Sequence, residues 1–166
     1  MPGRPPLRTA LGAAVALLAA ACTSTPEPPG PVEVAAPPAA AAPALEACRA
    51  LLGQVPDSLG EGLARRASTA DAERVAAWGD PAVVLTCAAP PAGLPGVDGE
   101  PFEFGPPEGG TLAWLVDDVG AANLWTTRDR AVPVSVVVPD AYDAQALAPL
   151  AGPLLRVLAE APVATS

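Results

Sequence analysis

The sequence predicts a single small α+β domain: a mostly antiparallel sheet of four to five strands, with two or three helices packed on one side, closed by one disulfide. Three observations carry this expectation. Helical apolar stripes stand near both ends of the hydrophobic part, in "LEACRALLGQVP" and "PLAGPLLRVLAE". Between them, four runs with strand character, "AVVLTC", "TLAWLV", "AANLWTTR" and "PVSVVV", are separated by turn residues. Three cysteines, Cys22, Cys48 and Cys87, supply the covalent part.

The first helix starts at Leu45. Leu45, Cys48, Leu51, Leu52 and Val55 share one helical face, and Gly53 with Pro56 ends it. Residues 63–68 form a weak strand candidate. In "STADAERVAAWG", Ser68 and Asp71 fit a capping box and Gly79 suits a left-handed helix end, so the spacing predicts a short helix over about 70–78, with a strand as the alternative. Asp80 precedes Pro81 and is driven toward extended geometry. Residues 82–87 then read as a buried strand. The six prolines among residues 88–110 predict a long irregular loop. Strands follow over 111–116, 121–128 and 133–138, the first two joined by a turn at "DDVG" and the last stopped by Pro139. A closing helix over about 149–160 carries Leu150, Leu154, Val157 and Leu158 on one face, with Pro149 suited to its first turn and Pro153 delaying its start.

The ends are of a different kind. Arg4 and Arg8, an apolar stretch over 10–21 and small residues before Cys22 are laid out as a secretory signal, predicted over residues 1–21. The stretch is too short for a spanning helix, which takes roughly 20 apolar residues. "AAAC" also resembles the lipobox of bacterial lipoproteins, in which the cysteine becomes the lipid-modified first residue; Ala19 stands where leucine is usual. Ordinary cleavage is the alternative, because Ala19 and Ala21 also satisfy A-x-A. Residues 22–44 read as a Pro/Ala-rich tether reaching roughly 70 Å at full polyproline extension, residues 45–160 as the globular domain and 161–166 as a tail.

Cysteine arithmetic favours the lipid anchor. With Cys22 acylated, Cys48 and Cys87 are an even pair in an exported chain, where a disulfide is permitted. Their bridge closes about 40 residues, worth roughly 4 kcal/mol on the chain-entropy model. A redox-active pair would need the C-x-x-C spacing that these two lack.

Charge and composition exclude whole classes. The 166-residue chain has a formal charge of −9, which becomes −11 when Arg4 and Arg8 leave with the signal. Nucleic acid and anionic headgroups are therefore poor partners. The chain has no histidine and no lysine, which removes His-containing zinc sites, Ser-His and Cys-His nucleophile pairs, Schiff bases and P-loops. No cofactor or metal site is expected.

Cys48 on the opening helix, "AAWGDPAVVLTC", the Trp of "LAWL", "WTTRDR" and "VPVSVVVPDAY" occur in the order seen in small exported actinobacterial proteins. The chain resembles the domain-of-unknown-function family numbered thirty-five fifteen, over roughly residues 45–160. It departs from that pattern at Ala88, often glycine, and in the proline-rich middle loop. The resemblance implies an envelope lipoprotein or secreted protein with a Cys48 to Cys87 bridge, and it supplies no activity.

Four residues are candidate ligand contacts. Trp78 offers an indole for stacking on a sugar ring and Asp80 a carboxylate for its hydroxyls; the competing reading makes Trp78 a core anchor and Asp80 a turn cap. Arg128 and Arg130 share a face of an extended segment and suit an anion clamp, against plain salt bridging. Trp114 and Trp125 are placed to pair across a hairpin. Asp117 and Asp118 are adjacent on a strand, so they point to opposite faces and do not form a glycosidase pair. The expected function is a lipid-anchored, extracytoplasmic, non-catalytic binding or interaction module, its partner an envelope protein or a cell-wall component. The alternative is a carboxylate-dependent hydrolase acting on wall polymer.

Overall fold

The computed structural model describes residues 30–89, 101–105, 110–128 and 130–158. The signal, Cys22 and the tail therefore lie outside the described residues. Helix α1 spans Ala42–Leu52. The strands are β1 (Arg65–Arg66), β2 (Val75–Trp78), β3 (Val83–Cys87), β4 (Phe102–Phe104), β5 (Leu112–Asp118), β6 (Ala122–Thr127) and β7 (Val134–Pro139). A short 3-10 turn over Ala144–Leu147 leads into helix α2, Ala148–Val157.

All seven strands belong to one sheet, in the order β1-β2-β3-β7-β6-β5-β4, and every neighbouring pair is antiparallel. This corrects the four to five strands expected from sequence. Two meanders, β1 to β3 and β4 to β7, are joined where β3 pairs with β7. The chain must cross from the middle of the sheet to its far edge between β3 and β4, four strand spacings or about 19 Å, which explains the long connection. β1 falls inside the weak candidate over 63–68, whereas β4 lies in the stretch expected to be loop, its three residues too few to display a period.

The second correction is β2. Alanine and an apparent capping box favoured a helix over 70–78, but all four residues of β2 are buried and the strand is hydrogen-bonded on both edges. Asp71 instead closes a tight turn, its Oδ1 accepting the Glu73 amide at 2.9 Å. Tertiary pairing overrides local propensity here. Pro153 does not delay α2 either; it sits buried inside the helix, where its missing N–H would face Pro149 in the first turn.

Register assigns the faces. Trp78, Val83, Leu85, Cys87, Val134, Val136, Trp125 and Trp114 lie on one side of the sheet and form one core with Cys48 and Leu51 of α1 and Leu150 and Leu154 of α2. Both helices thus cover the same face. Cys48 and Cys87 are bridged, with Cα atoms 5.6 Å apart, so α1 is covalently tied to the centre of the sheet.

The stretch over 30–41, read as part of a free tether, runs against the domain. The Val32 amide donates to the Ala67 carbonyl at 2.8 Å and its carbonyl accepts from Thr69 at 2.9 Å, and Val32 bridges Ser68 in parallel beside β1. Further along, the buried Arg74 donates to the carbonyls of Pro37 and Pro38 at 3.4 and 2.5 Å. Proline carbonyls remain good acceptors though the residue has no N–H. The same guanidinium reaches the carbonyls of Cys87 and Ala88.

Candidate functional site

The W-G-D-P stretch connects β2 to β3, and its geometry starts with glycine. Gly79 has φ +73°, a conformation that side chains with a Cβ rarely adopt. A Cβ here would also collide with the Leu63 side chain and press on the Tyr142 hydroxyl. The Gly79 amide donates to the Ala64 carbonyl at 3.0 Å, so the turn folds back over β1. The Asp80-Pro81 peptide bond is cis.

Trp78, immediately before, is fully buried, and its Nε1 donates to the Pro56 carbonyl at 2.8 Å. One ring face carries the Arg65 guanidinium, 5.0 Å from the ring centroid. The indole is therefore inaccessible to a sugar. Its position is that of a core anchor with its polar tip satisfied.

Around the turn lies a cavity of about 410 Å³ lined by Gly62, Ala64, Arg65, Arg66, Ala67, Gly79 and Asp80. The Arg66 guanidinium is held by two carbonyls, Gly79 at 2.8 Å and Gly30 at 2.6 Å, and lies 3.6 Å from the exposed Asp80 carboxylate. Arg65 is different. Beyond its stacking on Trp78, its guanidinium makes no hydrogen bond or ion pair among the described residues. Burial pulls its pKa below the ordinary arginine value, and the Asp57 charge opposes that. A second hollow of about 300 Å³, lined by Leu59, Leu63 and Tyr142 among others, shares Leu63 as a neighbour of the turn.

Of the four sequence candidates, only Asp80 lines this cavity; Trp78 backs it through Arg65. Arg130 is elsewhere, its Nη1 donating to the Leu158 carbonyl beyond α2 at 3.2 Å. Arg128 is exposed at the end of β6, its amide bonded to the Ala113 carbonyl at 2.8 Å. Arg130 thus reaches the carbonyl at the end of α2. Asp118 accepts the Gly120 amide at 2.8 Å and closes the β5–β6 hairpin. Trp114 and Trp125 meet edge to face at 6.4 Å, as diagonal neighbours across β5 and β6. No group of three or more acidic or cysteine side chains able to hold a metal occurs among the described residues.

Sequence reasoning missed Arg65, Arg66 and Arg74. The one available signal was "LARRAS": adjacent arginines on a strand point to opposite faces, yet at a sheet edge both reach the same cavity.

Searches of curated proteins and of solved structures each returned no match. A family model described as "Protein of unknown function (DUF3515)" matches residues 7–163, nearly the whole chain. The chain belongs to the DUF3515 family.

Proposed function

We propose that this is an exported, extracytoplasmic lipoprotein, acylated with palmitate at Cys22 and held on the outer face of the cytoplasmic membrane, that works as a non-catalytic binding module of an actinobacterial cell envelope. The cavity beside the W-G-D-P turn is its binding site. The observation that carries this reading is a concave site of about 410 Å³, the size class of small-molecule sites, whose walls are fixed by a glycine turn, a buried tryptophan and bonded backbone. The disulfide suits an oxidising compartment. The partner is a component of the envelope, and the net negative charge disfavours nucleic acid.

A photo-crosslinker placed at Ala67, an exposed residue on the cavity rim, is expected to capture an envelope component in intact cells. Palmitate labelling is expected to vanish in Cys22→Ala. Unchanged labelling would remove the anchor from this reading. Turnover of wall polymer that is abolished by Asp80→Asn would replace binding by hydrolysis.

A further inference from the structure

The Arg65 guanidinium lies over the Trp78 ring and makes no hydrogen bond among the described residues. It stands opposite Trp78 in the β1–β2 register and lies over the indole, an arrangement that holds the fork rigid by its face and leaves the N–H edge for a ligand. Arg65 is one of the residues lining the cavity. Arg66, by contrast, has both terminal nitrogens engaged, Nη1 by Gly79 and Asp80 and Nη2 by Gly30, so it shapes the wall.

We propose that the cavity binds a singly charged carboxylate of about monosaccharide size that also carries hydroxyl groups, the carboxylate seated on the Arg65 fork and a hydroxyl donating to Asp80. This assignment rests on the binding-module reading and names its ligand class. Two arginines face two nearby carboxylates, Asp80 on the wall and Asp57 within electrostatic reach of Arg65. Local charge is balanced, so a phosphate dianion would be held less well than a monoanion, whose one charge the Arg65 fork can meet. A planar carboxylate matches the guanidinium fork in two parallel hydrogen bonds. The desolvation that weakens the charged form of Arg65 is offset when an anion arrives. The chain as a whole is acidic, so recognition depends on these short-range contacts and not on long-range attraction.

Three probes of one size separate the possibilities: glucuronate, glucose and glucose 6-phosphate, titrated by calorimetry into the purified full-length protein. Glucuronate is expected to bind and to shift the Arg65 Nε–Hε resonance in the unmodified protein, whereas glucose does neither and glucose 6-phosphate binds at least tenfold more weakly. Arg65→Gln is expected to lower glucuronate affinity at least tenfold with unchanged circular dichroism. Arg65→Lys, which keeps charge without the fork, is expected to fall between. Asp80→Asn loses a few-fold, and Arg49→Gln, a surface partner of Glu73, loses nothing. Tighter binding of glucose 6-phosphate, or glucuronate binding indifferent to Arg65, overturns the carboxylate assignment. If glucuronate fails while the Ala67 crosslinker still captures an envelope component, this ligand class falls and the binding module stands. If both fail, both fall.

Discussion

Gly79 and Arg74 are the two positions where one side chain decides the most. At Gly79 the backbone requires φ +73° and the space belongs to Leu63. Gly79→Ala is expected to destabilise the fold by about 2–4 kcal/mol, combining left-handed strain with overpacking, read as a lower midpoint in urea. Arg74 is buried with no carboxylate among its hydrogen-bond partners; its acceptors are carbonyls of two separated segments, residues 37–38 and 87–88. Arg74→Lys preserves the charge but not the fork that reaches them. A loss of about 2 kcal/mol is expected, since several charge-assisted bonds cannot be remade. Equal melting temperatures for Arg74→Lys and the unmodified protein would show that these bonds contribute nothing net.

At the scale of elements, the disulfide and the docked segment do separate work. The bridge ties α1 to β3 across 39 residues of sequence. Cys48→Ala and Cys87→Ala should each lower stability by up to about 4 kcal/mol, and the double variant little more, because either change removes the same constraint. Additive losses in thermal denaturation would contradict that. The segment beginning at Gly30 is held by backbone pairing with residues 67–69, so the Val32 and Thr69 amides are expected to exchange slowly with solvent, at rates near those of β2. The helix expected over 70–78 became β2 for a related reason. Ala-rich local sequence is compatible with both states, and only the pairing of Ala76 with Leu85 and Trp78 with Val83 selects the strand.

For the whole molecule, docking of residues 30–38 changes where the domain stands. If the lipid sits on Cys22, only eight residue steps lead from it to Gly30, whose carbonyl is bonded to Arg66. That chain spans at most about 28 Å, in place of the roughly 70 Å expected for a tether running to residue 44. A fluorescent donor at Ala67, whose carbonyl accepts the Val32 amide, should transfer efficiently to an acceptor in the lipid; a separation near 70 Å would mean that the segment detaches. The cavity, whose Arg66 holds Gly30, is kept near the membrane on the same reading. By itself the sequence determined the family, the inward cysteines, the four longest strands and both helices. Each of these is written in local spacing: a stripe every three to four residues, a β-rich run between turns, a motif of a dozen residues. The tertiary structure decided the seven-stranded order, the identity of β2, the docking of the proline-rich segment and the meeting of Arg65, Arg66 and Asp80 around one cavity. Those depend on pairing between segments distant in the chain, and a strand of two arginines carries no local pattern to announce its partner. The W-G-D-P turn spans both kinds of information. Its residues are conspicuous in the sequence, but that Trp78 faces inward and Asp80 opens on a cavity was settled by the strands on either side.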